Sequence, residues 1–166
     1  RRRDAPGHVR SSTTIASDAF LLDTNVLVYA YDPRDRNKQE RALLVLDRLI
    51  QRQQAALSVQ CLSEFFSVVT QRLPEPLTRA EAVIRVERLS RACRVLHLTP
   101  AVVLEGCRGS ERHNLSIWDA VIWAVAKLNQ APYVLTEDAE HDRFLEGVRF
   151  LNPFSPPFEA EWLSLL

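Results

Sequence analysis

The sequence predicts an α/β fold in which a parallel sheet carries helices on both faces. Short apolar stretches with strand character alternate with longer stretches whose apolar residues recur at helical spacing. This alternation is typical of βαβ units, and right-handed crossovers place the carboxyl ends of the strands along one edge of the sheet. We therefore expect ligands to bind at that edge.

Length and composition favour a single folded domain. The chain has 166 residues, of which 46% are apolar, enough for a substantial core and too many for a disordered protein. Its 21 basic and 21 acidic residues balance, which argues against a nucleic-acid binder that works by bulk charge. The three scattered cysteines indicate a reducing compartment, which we take to be the cytoplasm, and no stretch is long enough for a membrane span.

Five stretches are expected to be strands, and the stretches between them are expected to be helices. The strand candidates are residues 20–22, 55–58, 94–98, 132–136 and 147–151. The helix candidates are residues 26–30, 37–53, 58–73, 78–91, 100–109 and 117–129, with a short helical turn near 141–145.

The two ends of the chain differ from the expected domain. Residues 1–17 are basic and then rich in Ser and Thr, and we expect a disordered head or a remnant of the expressed sequence. A nucleic-acid-binding arm is the alternative. The folded domain is expected over residues 18–156, followed by a C-terminal tail over residues 157–166.

Four acids are placed where the predicted topology brings them to the carboxyl edge of the sheet. They are Asp23, Glu64, Asp119 and Asp138. Taken singly, Asp23 can be a helix cap and Asp138 a turn residue. Glu64 can lie at the boundary of a buried helix stripe, and Asp119 can complete a capping box with Ser116.

Four carboxylates gathered at one edge repel one another, and burial adds to the cost of their charge. A hard cation removes both problems. Oxygen ligands without a His or Cys pattern suit Mg²⁺ or Mn²⁺, ions that activate water and stabilise the charge that develops in phosphodiester cleavage.

An ordered set of motifs resembles the PIN-domain ribonucleases, most closely the VapC-type toxins of prokaryotic toxin–antitoxin pairs. The set covers roughly residues 20–154. Its members are Leu21-Leu22-Asp23-Thr24-Asn25-Val26-Leu27, then Glu64, then Leu115-Ser116-Ile117-Trp118-Asp119-Ala120-Val121-Ile122, then Leu135-Thr136-Glu137-Asp138 followed by Gly147-Val148-Arg149-Phe150 and Asn152-Pro153-Phe154.

The resemblance implies a single PIN-like domain with a five-stranded parallel sheet and a Mg²⁺- or Mn²⁺-dependent endoribonuclease activity. It also implies a homodimer and inhibition by a cognate antitoxin. By motif position the four acids bind metal and also catalyse. Residues beside them, expected to hold them in place, are Thr24, Asn25, Ser116 and Thr136. Three nearby acids leave open which side chain of the fourth motif faces the metal: Glu137, Glu140 and Asp142.

Three surfaces are expected to contact partners. Basic residues near the first and third motifs are either solvated loop charges or phosphate contacts for RNA: Arg34, Arg36, Arg112 and His113. Of Trp118 and Trp123, which face different sides of one helix, one is expected in the core and the other in an interface. An antitoxin groove is expected beside the apolar residues Val26, Leu27, Phe65 and Phe66.

Two other classes of function compete with the nuclease. One is an acid-cluster phosphatase or phosphotransferase that uses Asp23 as a nucleophile. That chemistry favours a second acid two residues on, where this chain has Asn25, and a nearby lysine, whereas Lys38 and Lys127 are the only lysines. The other is a non-catalytic interaction module that keeps the fold, although all four acids are present.

Overall fold

The computed structural model of the chain describes residues 19–163 and 166. Seven helices and six strands follow one another in these ranges. In chain order they are β1 (Phe20–Leu22), α1 (Thr24–Tyr29), α2 (Arg36–Gln51), β2 (Ala55–Ser58), α3 (Val59–Gln71), α4 (Arg79–Ala92), β3 (Arg94–Leu96), α5 (Pro100–His113), α6 (Ile117–Leu128), β4 (Tyr133–Leu135), β5 (Arg143–Leu145), β6 (Val148–Leu151) and α7 (Pro156–Glu161).

The strands form one sheet in the order β3-β2-β1-β4-β6-β5. All neighbours are parallel except β5 and β6. The residue after β1 and the residue after β4 therefore lie side by side, because Leu22 pairs with Leu135. The expected carboxyl edge exists, with the ends of β1 and β4 at its centre.

The sheet has six strands, so the prediction of five was wrong, and the helical turn expected near 141–145 is strand β5. The cause is a two-residue turn. Glu146 and Gly147 both have positive φ, 44° and 89°, as in the tight turns that match the twist of a hairpin. The turn folds β5 back against β6, with Leu145 paired to Val148.

Helices cover both faces of the sheet, as predicted. One core lies between the sheet and helices α1 to α4 and includes Val26, Leu49 and Phe65. The other lies under α6 and includes Trp123 and Phe150. Since β1 and β4 are buried from both sides, their carboxyl ends are held rigidly.

Helix α5 continues to His113, whereas the sequence predicted that it would fade near Gly109. The glycine serves packing and does not end the helix. A Cβ at Gly109 would lie 2.3 Å from Cζ3 of Trp123, and one at Gly106 would lie 2.9 Å from Cγ2 of Val121. The two glycines let α5 approach α6 closely.

The C-terminal segment adds to the first core. Phe158 of α7 is fully buried there, so the predicted boundary between residues 156 and 157 falls inside a helix. The predicted head, residues 1–17, lies outside the described residues. Within the ranges that the structure describes, no helix has both the length and the apolar character needed to cross a membrane.

Candidate metal centre

A cavity of about 610 Å³ opens at the carboxyl edge of the sheet, and all four predicted acids line it. Asp23 and Asp138 reach it from the ends of β1 and β4. Glu64 reaches it from α3 and Asp119 from the first turn of α6. The structure therefore brings together four residues that the sequence separates by up to 115 positions.

Asp23 is both the N-cap of α1 and the central acid of the cavity. Its Oδ1 accepts a hydrogen bond of 2.7 Å from the backbone N–H of Thr24. Its own backbone N–H donates to the carbonyl of Leu135 at 2.9 Å, which fastens β1 to β4. Asp23 is thus a helix cap, as one interpretation of the sequence proposed. The cap uses only Oδ1, so Oδ2 is free to contact other groups.

Oδ2 of Asp23 accepts from two side chains that also organise the end of β4. The Thr136 hydroxyl donates at 2.7 Å and Nδ2 of Asn25 lies at 3.0 Å. The same Nδ2 lies 3.0 Å from Oδ2 of Asp138. Asn25 thus bridges two acids of the predicted set, as a neutral donor between two negative groups.

Glu64 faces the cavity because two polar neighbours hold its carboxylate there. The Thr24 hydroxyl donates to Oε2 at 2.7 Å, and Nε2 of Gln60 donates to Oε1 at 2.7 Å. Ser58 caps α3 and so fixes the helix that carries both Gln60 and Glu64.

Asp119 is oriented by its helix cap. The Ser116 hydroxyl accepts from the backbone N–H of Asp119 at 3.2 Å and donates to its Oδ2 at 2.6 Å. Its carboxylate is half-buried at the cavity wall. Capping and site roles therefore coexist in this residue too.

The electrostatics of the cavity disfavour negative charge on Asp23. The pKa of Asp23 is raised to about 6, chiefly by burial, and the charges of Asp138 and Glu64 contribute to the increase. Hydrogen bonds from Thr136 and Thr24 oppose the increase without cancelling it. A cation among these carboxylates would offset both burial and repulsion.

The donor set fits a hard divalent cation. Among residues 19–163 and 166, no three His, Cys, Asp or Glu side chains form a ready-made ligand group. The carboxylates are held instead by neutral hydroxyl and amide donors, so a cation meets no competing positive charge at Asp23 or Glu64. Carboxylate oxygens are the ligands that Mg²⁺ and Mn²⁺ prefer. The nearby thiol of Cys61 stays protonated, because burial and the Asp23 charge raise its pKa to about 11.

The structure also distinguishes the acids around the fourth motif. Glu137 forms an ion pair with Lys38 and accepts from the Tyr29 hydroxyl. Asp142 pairs with Arg149 at 2.5 Å. Asp138, which shares Asn25 with Asp23, is the acid of this motif that lines the cavity.

Of the four predicted RNA contacts, the structure brings one to the cavity. Arg34 lines it, with its guanidinium bound to the buried carboxylate of Asp32. Arg36 pairs with Glu40 on an exposed face of α2.

Arg112 and His113 lie elsewhere. Both bind Glu146 in the turn before β6, which places them at the amino edge of the sheet. The ion pairs with Glu146 account for the positions of both side chains, and neither side chain lines the acid cavity.

Several residues of the cavity were not predicted as site residues by the sequence analysis, among them Gln60, Arg72 and Trp118. A signal existed for Arg72, since Glu64, Val68 and Arg72 recur every four residues and so share one face of α3. Trp123 is fully buried and Trp118 exposed, so the prediction that one tryptophan belongs to the core is confirmed.

Comparisons with known proteins agree with this fold. The family model for the PIN domain matches residues 20–146. No curated protein matches the chain.

Solved structures of the same fold include several toxin–antitoxin proteins. A toxin–antitoxin complex from Klebsiella pneumoniae has 15% identity and a TM-score of 0.57, covering 81% of this chain and 98% of its own. VapC20 of Mycobacterium tuberculosis, described as a sarcin–ricin loop cleaving toxin, has 20% identity and a TM-score of 0.54, covering 70% and 87%. DNA-bound VapBC from Salmonella typhimurium has 17% identity and a TM-score of 0.57, covering 80% and 96%.

Proposed function

This chain belongs to the PIN domain family, and on that premise we propose that it is a Mg²⁺- or Mn²⁺-dependent endoribonuclease that acts as the toxin of a toxin–antitoxin pair. The observation that carries the proposal is the cavity that Asp23, Glu64, Asp119 and Asp138 line together. Family membership supports nuclease chemistry, and the structural neighbours named as toxin–antitoxin proteins support the biological role.

In this proposal the four acids are the metal ligands and the catalytic groups. A bound Mg²⁺ or Mn²⁺ would activate water and stabilise the charge that develops on the cleaved phosphodiester. The protein supplies orientation. Thr24 fixes one oxygen of Asp23 and one of Glu64, while Thr136 fixes the other oxygen of Asp23. Such support keeps the carboxylates in place before a ligand arrives.

A phosphatase that uses Asp23 as a nucleophile finds less support. Lys38 is bound to Glu137, and Lys127 is bound to Glu105 and Glu146. Position 25 holds an amide that donates to Asp23.

Cleavage of single-stranded RNA tests the enzymatic proposal. We expect cutting in Mn²⁺ or Mg²⁺, complete loss in excess EDTA, and no release of phosphate from a small ester. Asp23→Asn should abolish cutting, whereas Asp47→Asn, at an exposed acid of α2, should not. Phosphate release with intact RNA would favour the phosphatase instead, and inactivity in every assay would favour the interaction module.

An antitoxin surface is part of the same proposal. The sequence predicted a groove between the first-motif helix and the helix of Glu64, beside Val26, Leu27 and Phe65, but these three side chains are buried in the core and present no surface to a partner. Phe66 instead lines an apolar groove of about 460 Å³ between α3 and α4, together with Leu62, Val83 and Val86.

We propose that the antitoxin packs into this groove. Co-expression with the product of the adjacent gene tests the assignment. Val83→Asp should prevent co-purification of that product, and Leu43→Asp, at an exposed leucine of α2, should leave it unchanged. If the adjacent gene encodes no DNA-binding protein with a tail, the toxin role loses its main support.

A homodimer and a cytoplasmic location complete the proposal. The three cysteines are unpaired in the structure, which suits a reducing compartment. Sedimentation at micromolar concentration tests the dimer, and a monomer throughout would contradict it.

A further inference from the structure

Trp118 has an unusual position for a tryptophan. It is the most exposed large apolar side chain among the described residues, at 66% of its full accessibility. It also lines the acid cavity, which none of the other exposed large apolar side chains in residues 19–163 and 166 does. An occupant of that cavity would therefore lie against the Trp118 side chain.

The helix holds Trp118 beside the acids. It precedes Asp119 in the first turn of α6, and Ile122, one turn further, lines the same cavity. Residues four apart share a helix face, so this face of α6 forms one wall of the cavity. Trp123 lies on another face and is buried in the core, which anchors the helix.

The cavity that Trp118 lines carries polar side chains as well as apolar ones such as Ile122 and Val68. Asp119, Gln60, Ser67 and Arg72 line the same cavity. A tryptophan that anchors a protein interface is usually surrounded by a well-packed, desolvated patch. A flat aromatic face beside polar groups instead suits a nucleotide. Its base can stack on the indole ring, while its sugar-phosphate backbone stays hydrated.

Arg72 supplies a positive charge to the same cavity. It is exposed at the C-terminal end of α3, eight residues after Glu64, or roughly 12 Å along the helix axis. Within the described ranges no ion pair of Arg72 is present, whereas Arg34 is bound to Asp32. Its charge is therefore available for a phosphate of a strand that passes over the acids.

We propose that Trp118 is the stacking platform for one unpaired base of the RNA beside the cleaved bond, with Arg72 binding a phosphate of the same strand. The inference rests on the proposed nuclease function and adds to it the residue that selects unpaired RNA. A base inside a duplex is already stacked and cannot lie against the indole without leaving its pair.

Binding measurements in EDTA test the inference apart from cleavage. The probes are a mixed-sequence single-stranded oligoribonucleotide and the same sequence closed into a hairpin duplex. We expect Trp118→Ala to weaken single-strand binding about tenfold and Trp118→Phe to retain most of it. Phe144→Ala, at an exposed aromatic residue outside the cavity, should bind as the wild type does. A thermal melt of each variant confirms that it is folded.

An abasic scan identifies the stacked base. Oligonucleotides that lack one base at successive positions should show a single position where the wild type loses about tenfold in affinity. With Trp118→Ala the loss at that position should disappear, since base and indole form one interaction. A role of Trp118 in folding or in dimer formation would not produce this dependence.

The outcomes separate the inference from the nuclease function. If the wild type binds single strands through Trp118 but does not cut them, Trp118 is a stacking platform for unpaired RNA and the nuclease proposal fails. If the wild type cuts RNA while Trp118→Ala binds the unmodified single strand as tightly as the wild type does, or still loses affinity at the same abasic position, the inference is overturned and the nuclease proposal stands. It is also overturned if the wild type binds no single strand, or if Trp118→Ala changes only the sedimentation of the protein, which would assign Trp118 to a protein interface.

Discussion

The Thr136 hydroxyl donates a hydrogen bond of 2.7 Å to Oδ2 of Asp23, so the residue after β4 holds the carboxylate that follows β1. Both residues are fixed by neighbouring parallel strands, with Leu22 paired to Leu135. The bond stabilises the charged form of an acid whose pKa burial raises to about 6. Thr136 therefore affects both the folded state and the charge available to a cation.

Thr136→Val should weaken both properties. Removing the hydroxyl takes one hydrogen bond from Asp23, which keeps those from Thr24 and Asn25, and it takes the acceptor of the backbone N–H of Asp138. We expect a loss of about 1–2 kcal/mol in the free energy of unfolding. The pKa of Asp23 should rise further and Mn²⁺ affinity should fall. Urea denaturation and calorimetric titration measure the two effects. Thr136→Ser keeps the hydroxyl and should restore both, and an unchanged Mn²⁺ affinity in Thr136→Val would contradict this role.

Asp23→Asn should change how stability depends on pH in the absence of metal. Since the folded protein raises the Asp23 pKa from 3.8 to about 6, the stabilisation from this group is complete below pH 3.8 and is lost as the pH rises through about 6. The neutral amide escapes that loss. We expect the variant to gain on the order of 1–2 kcal/mol over the wild type between pH 4.5 and pH 7.5.

Denaturation in EDTA at those two pH values measures this change. Asp47→Asn, at an exposed acid, should show no such change. If Asp23→Asn and the wild type differed in stability by the same amount at both pH values, folding would not raise the pKa of Asp23.

Lys38→Met should loosen the loop that carries Asp138. Lys38 pairs with Glu137, both side chains are 28% exposed, and the ammonium also lies over the Tyr29 ring, 4.6 Å from its centre. The loss should be about 1–2 kcal/mol, between the values for exposed and buried pairs, because Glu137 is left without its cation. Thermal melts measure it.

Lys38→Met combined with Glu137→Gln should recover part of that loss, since no unpaired charge remains. Arg36→Met, which removes an exposed pair with Glu40, should change little. Equal effects of Lys38→Met and Arg36→Met would contradict a positioning role for Lys38.

Gly109→Ala should destabilise the packing of α5 on α6. Alanine is normally favoured over glycine in a helix by about 1 kcal/mol. Here its Cβ would lie 2.3 Å from the Trp123 ring, so we expect a net loss of about 1–3 kcal/mol. Gly106→Ala meets Val121 at 2.9 Å and should cost less. Denaturant unfolding of both variants tests the order, and a stabilised Gly109→Ala would show that α5 can move away.

The sequence predicted the helices on both faces and the edge where the acids meet, because these depend on hydrophobic periodicity and on chain order. It missed β5 because the turn that forms it depends on positive φ at Glu146, a residue type that rarely adopts this conformation. It ended α5 too early because the role of Gly109 depends on the distant Trp123.

For the candidate site, the residue types and the order of the motifs predicted the four acids that line the cavity. The local sequence could not show which side chains the nearby basic residues bind. The pairing of Arg112 and His113 with Glu146 links positions more than 30 apart, so these residues resembled free phosphate contacts. Arg72, by contrast, was not predicted as a phosphate contact although it lines the cavity. Its position there follows from the direction of α3 and not from charges near it in the sequence.

The binding of Mn²⁺ to the wild type and to Asp119→Asn tests the central claim, that the four acids form a metal-dependent nuclease site, most directly. Asn keeps the size of the side chain and can still accept the Ser116 hydrogen bond, but it is a poorer ligand for a hard cation. Thermal melts in EDTA and in Mn²⁺ should show a clear rise for the wild type and for Glu111→Gln, an exposed acid of α5, because a ligand that binds only the folded state raises its stability. Asp119→Asn should show little rise and should no longer cut RNA. If Asp119→Asn gained as much from Mn²⁺ as the wild type, or still cut RNA, Asp119 would lie outside any metal site and the account of this cavity would be wrong.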